Sequence, residues 1–222
     1  MAASQAELVL LFDVDHTLID GVALRARLDT ALAAAAGLEG ARRFWQTYEA
    51  VRGDLGYVDL PETIERFGRE AGDAALGERA AAAVWGLDYA GCLFPGAHAS
   101  VEHARGLGLP VIVSDGDERF QRHKIRESGL EAAFTGEVQI CRQKEREIEA
   151  IRARWPADRY VLIDDKPGIL AAVKSAFGEL VTTVLVEQGP YALEAAGGAP
   201  PDVCLPSIAA FGELDAAALG AG

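Results

Sequence analysis

Residues 8–20, LVLLFDVDHTLID, constrain the fold more than any other stretch of this chain. The first five are apolar with no polar alternation, so they predict a strand buried on both faces of a sheet. The strand runs directly into Asp13, Asp15 and Thr17. Two carboxylates one residue apart at the end of a buried strand repel each other, since both ionise near a reference pKa of ~3.9. A divalent cation with oxygen ligands compensates such a pair. On these residues alone, a strand that exits into a solvated acidic turn is the alternative.

Further strands alternate with helical stretches. Strands are predicted at 110–114, 137–140, 160–164 and 181–186, with a short one near 203–205. Helices are predicted at 97–107, 118–128, 144–154 and 167–176, closed by glycine or begun by proline. Apolar strands alternating with helices argue for a parallel sheet covered on both faces. Between the first two strands the pattern changes. Residues 22–37, 41–52, 61–71 and 73–86 read as four helices, an all-helical unit over 21–91. Phe44, Trp45 and Tyr48 are expected to form the small core of that unit. In open parallel sheets, ligands bind beyond the carboxyl ends of the strands, where strand order reverses. The acids and hydroxyls of this chain collect at those ends.

The net charge of −13 disfavours a nucleic-acid or anionic-membrane partner, because phosphate backbones need a basic patch. No apolar run approaches the ~20 residues of a membrane span, and no secretory leader pattern precedes the first strand. Cys92, Cys141 and Cys204 are far apart and form no metal motif, so free thiols and a cytoplasmic location are expected.

The DVDHTL run at 13–18 resembles the DxDxT signature of the haloacid-dehalogenase-like hydrolases. Two later strands end as that family's do, in VIVSDG at 111–116 and YVLIDD at 160–165, with Lys144 between them. The resemblance implies an α/β fold: a parallel-sheet, Rossmann-like core of residues 1–20 and 92–222, with helices on both faces and a smaller all-helical cap at 21–91.

The resemblance also implies a chemistry. Asp13 would attack phosphorus, giving an aspartyl-phosphate that splits a very difficult hydrolysis into two steps. Asp15 would protonate the leaving alcohol and then activate water, which asks for a raised pKa in a closed site. Thr17 would hold the loop that aims Asp15. Ser114 and Asp115 fall at the substrate-binding position, and Lys144 would place a positive charge on nucleophile and phosphate. Arg142 stands near the same helix start, and spacing alone does not choose between the two cations. Asp13, Asp164, Asp165 and the backbone of Asp15 would hold Mg2+. Of the fourth-strand pair, Asp165 is expected as the direct ligand, with Asp164 a direct or water-mediated second partner and Lys166 a neighbour able to pair with either. His16 stands where the family more often has glycine. Arg25, Arg27, Arg42, Arg43 and Tyr48 are the cap residues an anionic substrate would want. The implied activity is Mg2+-dependent hydrolysis of a small soluble phosphate monoester. The alternatives are a 2-haloacid dehalogenase, a phosphomutase and a non-catalytic phosphate-binding protein.

Overall fold

The computed structural model describes residues 6–194 and 197–220, so the first five residues of the expected core segment lie outside it. Six parallel strands form one sheet in the order β3-β2-β1-β4-β5-β6. They are β1 (Ala6–Phe12), β2 (Leu109–Asp115), β3 (Val138–Cys141), β4 (Ala157–Asp164), β5 (Val181–Val186) and β6 (Val203–Leu205). Their side chains alternate between two apolar layers. Leu8, Leu10 and Phe12 pack with Ile112, Val161 and Ile163 on one face. Val9 and Leu11 pack with Val111, Val113 and Leu162 on the other. Helices α4 (Ala97–Leu107) and α5 (Glu118–Glu127) cover the first face through Val101, Phe120 and Ile125. Helices α7 (Ile148–Arg154) and α8 (Pro167–Phe177) cover the second through Ile151, Leu170 and Phe177. Central strands buried on both sides have no position for a polar residue, which is why their sequences show no alternation.

The chain builds β1, β2 and β3 outward, then returns to lay β4 on the other side of β1. Strand order therefore reverses between β1 and β4, and a crevice opens past their carboxyl ends. Register places the acids there. Leu11 pairs with Leu162 and Phe12 with Ile163, and the Asp13 N–H donates to the Ile163 carbonyl at 2.9 Å. Asp13 and Asp164 are thus the next cross-strand neighbours. Strand alternation sends both side chains to the face of Leu11 and Leu162.

Between β1 and β2 lie α1 (Gly21–Leu55), α2 (Leu60–Ala71) and α3 (Ala74–Trp85). The two helices expected over 22–52 are one element in which Gly37, at φ 74° and ψ 167°, makes a kink rather than a stop. Asp20, Asp59 and Asp73 cap the three helices by accepting first-turn backbone N–H bonds. The helices pack on each other around Leu32, Phe44, Phe67 and Val84, and this cluster is continuous with the first face of the sheet.

The expected helix 144–154 is also divided. A 3-10 turn, Lys144–Arg146, precedes α7, and a four-residue helix α6 (Leu130–Ala133) sits ahead of β3. Among the described residues, no helix is long and apolar enough to cross a membrane. Cys92 and Cys141 are buried and Cys204 exposed, all three as free thiols.

Candidate active site

Asp13, Asp164 and Asp165 are all buried, and each offers an oxygen within 4.8 Å of the others. Lys144, 2% exposed, reaches into this group. Its ammonium donates to Asp13 Oδ1 and, at 2.8 Å, to Asp164 Oδ2. Asp164 Oδ1 accepts the Lys166 backbone N–H at 2.9 Å, so both Asp164 oxygens are engaged. Asp165 differs, because neither of its buried oxygens has a partner among the described residues, and Asp13 Oδ2 is also bare. Burial pushes the Asp165 carboxyl up, the charges of Asp13 and Asp164 push it further, and it reaches about 8. Burial raises Asp13 as well, against the pull of Lys144. Burial works against the Lys144 ammonium, yet Asp13 and Asp164 hold it well above its ordinary value. Three carboxylates with oxygens within 4.8 Å of one another, two of them bonded by one ammonium and with three oxygens bare, fit a hard divalent cation.

The 3-10 turn positions Lys144. Its backbone N–H donates to Asp115 Oδ1 at 2.7 Å, tying the turn to the end of β2. This contact separates the two candidate cations. Lys144 enters the acid group, while Arg142, two residues earlier, is exposed and stacks its guanidinium 4.7 Å from the centre of the Tyr57 ring. Lys166 does not pair with either neighbouring acid. Its ammonium lies over the Tyr191 ring, 5.3 Å from the centroid, and only its backbone reaches Asp164.

The expectation for Asp15 is corrected. Its side chain is separate from the acid group and bound to α5. Lys124, 2% exposed, forms an ion pair with Asp15 Oδ1, and the Gln121 amide donates to Oδ2 at 2.8 Å. Burial alone would raise this carboxyl. The Lys124 charge and the two hydrogen bonds outweigh it and take the pKa down to about 2, the reverse of the raised value expected. Sequence reading missed both partners because ERFQRHKIRE reads as a polar surface helix. The signal was nevertheless present: Phe120, Gln121, Lys124 and Ile125 share one buried stripe.

Two buried hydroxyls, Thr17 Oγ1 and Ser114 Oγ, also lack partners among the described residues. Buried polar atoms are almost always bonded, so bare ones gathered at the ends of β1, β2 and β4 mark a site for an oxygen-rich ligand. His16 sits at φ 63°, in the left-handed region that favours glycine, and its ring meets Tyr191 edge-on at 5.3 Å. A Cβ at Gly21 would lie 2.3 Å from His16 Cε1, so a side chain there would displace the His16 ring. A Cβ at Gly189 would lie 2.7 Å from both Asp165 Oδ2 and His16 Cβ, so a side chain there would crowd both residues.

A cleft of about 540 Å3 reaches these strand ends at Asp15, Asp115 and Lys166 and is walled on its far side by α1. Arg25, Trp45 and Tyr48 line it, together with Tyr57 from the turn after α1. Of the expected core aromatics, Phe44 is fully buried, and Trp45 and Tyr48, half-buried and packed against the same cluster, also line the cleft. Arg27 instead bonds Asp88 and the Gly91 carbonyl, and Arg42 bonds Glu39, so neither joins the cleft wall. Arg43 is absent from it too.

The doubly covered parallel sheet, with buried carboxylates beyond the strand ends at its switch point, defines a doubly wound α/β protein with its candidate site in the usual crevice of that class. Residues 8–176 match the model of the haloacid dehalogenase-like hydrolases, and the chain belongs to that family. It is similar along 96% of its length, at 33% identity and a TM-score of 0.86, to the structure of a haloacid dehalogenase-like hydrolase from Burkholderia xenovorans LB400, of which 98% is covered. The L-2-haloacid dehalogenase of Xanthobacter autotrophicus shares the fold at 15% identity, a TM-score of 0.60, and coverage of 93% and 97% of the two chains. A magnesium-bound HAD hydrolase of Bacillus subtilis does so at 16%, 0.61, and coverage of 91% and 95%. No curated protein sequence matches the chain.

Proposed function

We propose that the chain is a Mg2+-dependent phosphatase of a small soluble phosphate monoester. The bare oxygens of Asp13 and Asp165, gathered with the unpartnered Ser114 and Thr17 hydroxyls, carry this reading. Asp13, Asp164 and Asp165 would hold Mg2+, with the backbone of Asp15; the ion would neutralise phosphate charge beside an anionic nucleophile. Asp13 Oδ2 attacks phosphorus, the bond to the leaving oxygen breaks, and an aspartyl-phosphate forms on Asp13. Lys144 holds Asp13 in place and opposes the upward push of burial on its carboxyl, and Ser114 donates to a phosphate oxygen. Asp115 fixes the Lys144 turn. The proton for the leaving alcohol comes from the Lys124–Asp15 pair, with Asp15 as the relay. Asp15 then takes a proton from the water that opens the aspartyl-phosphate, and the pair is restored. Residues 21–91 act as the cap that closes the cleft and excludes water.

A second reading, the 2-haloacid dehalogenase, has one observation in its favour. Asp15 is held as a carboxylate, and a departing halide needs no proton. The bare Asp165 carboxyl has no task in that chemistry, which weighs against it. The deciding experiment is release of phosphate from a generic aryl phosphate with Mg2+ and after chelation. The phosphatase reading expects turnover that chelator abolishes. Chloride release from 2-chloropropionate, indifferent to chelator, would replace it with the dehalogenase.

A further inference from the structure

Among the described residues, the side chains of Arg142 and Lys166 have neither a hydrogen-bond acceptor nor a carboxylate within ion-pair reach; each is backed by an aromatic ring instead. Both line the same cleft. The chain has 34 acids against 21 lysines and arginines, so an exposed cation can usually find a carboxylate. Yet the cleft wall carries five of those cations and only four acids. Arg142 comes from the loop after β3, and Tyr57 from the turn between α1 and α2, so the guanidinium bridges the two sides of the cleft. A guanidinium held over a ring without an acceptor among the described residues still has N–H groups to offer, a donor set suited to bidentate binding of a carboxylate or phosphate. Lys144 already serves the acid group, so Arg142 has no work at the reacting phosphate.

We infer that the substrate carries a second anionic group, a carboxylate or a second phosphate, held by Arg142 in the cleft that reaches the strand ends. This rests on the phosphatase reading for the first phosphate and extends it to the rest of the molecule. Arg142 is then a specificity-determining residue, and a neutral-tailed phosphate monoester is a poor substrate.

The test uses short alkyl phosphates with equal leaving groups that end in a carboxylate, a phosphate or an amide. Non-hydrolysable phosphonate counterparts are titrated calorimetrically in parallel. At least one anionic tail should exceed the amide tenfold or more in kcat/KM, expressed in KM, with the same order in phosphonate binding. Arg142→Ala should bring anionic and amide tails to within about twofold, and Arg142→Lys should restore part of the difference. A residue that merely clasps cap to core would weaken all tails equally. Equal binding of all three phosphonates by the wild-type protein, or a preference that survives Arg142→Ala, overturns the inference. Failure to hydrolyse any phosphate while the phosphonate preference holds would instead overturn the phosphatase reading and leave the second-anion site standing.

Discussion

Two buried lysines, Lys144 and Lys124, each meet aspartate at the strand ends, and they do so on different terms. Lys144 faces three carboxylates, bonds two of them, and leaves Asp165 with two bare oxygens. Lys124 faces one carboxylate, Asp15, whose second oxygen is taken by Gln121. The first group is under-neutralised and has room for a cation. The second is balanced, and Asp15 still lines the cleft. Opposite pKa shifts follow: Asp165 rises to about 8 and Asp15 falls to about 2. On the phosphatase reading proposed above, the surplus negative charge is what receives the metal, and the matched pair is what handles the proton.

Removing the nucleophile should have the largest effect on this contrast. Asp13→Asn should lower aryl phosphate turnover on the order of 10⁴-fold or more, because an amide cannot attack phosphorus. Thermal unfolding should show the fold intact. Near-normal turnover would remove Asp13 from its role.

Breaking the balanced pair comes next. Lys124→Met keeps most of the buried stem and deletes the charge, so the Asp15 carboxyl should return upward from about 2. We expect kcat to fall about 100-fold, the lower range of general acid–base contributions. Stability should drop by roughly 2 kcal/mol at neutral pH, following the size of the pKa depression. The sign is that of a depressed carboxyl: its stabilisation is present above the unfolded pKa of ~3.9 and is lost as pH falls toward about 2. Urea melts of both proteins should therefore converge between pH 4 and pH 2. A difference that stayed constant over that range would refute the pairing.

A smaller effect ranks the fourth-strand acids. Asp165→Ala should raise the Mg2+ concentration for half-maximal activity more than Asp164→Ala, by about tenfold, since Asp164 is already spent on Lys144 and the Lys166 N–H. The opposite order would exchange their roles.

The smallest effect is a pH trend. In the metal-free protein, Asp165 keeps its proton up to about 8, whereas the unfolded chain releases it near ~3.9. Stability without metal should therefore decline as pH rises through that window. Mg2+ should bind more tightly as pH rises toward 8, with release of up to one proton. Calorimetry in two buffers of different ionisation heat measures that proton directly.

Much of this was legible in the chain because the central strands are buried on both faces. Apolar runs ending in acids marked β1, β2 and β4, and parallel pairing then dictated which acids meet. The fifth and sixth strands lie where 181–186 and 203–205 were read. What sequence could not supply was the partner of each charge. Lys124 sits on a helix whose polarity hides a narrow buried stripe, and snorkelling side chains blur such stripes. The split at Glu147, which frees Lys144 in its own turn, follows from the Asp115 contact, a tertiary bond with no local signal. Gly37 gave a correct break and the wrong consequence, because a left-handed residue can kink a helix as well as end it.

The central claim is that the two acid groups have different work, and Mg2+ binding separates them most directly. Calorimetric titration of Mg2+ into the wild-type protein, Asp165→Asn and Asp15→Asn at pH 8 compares one carboxylate from each group. The account predicts one site in the wild type, loss of that site in Asp165→Asn, and binding within about threefold of wild type in Asp15→Asn, whose side chain stays outside the acid group. Retained binding in Asp165→Asn with loss in Asp15→Asn would contradict it.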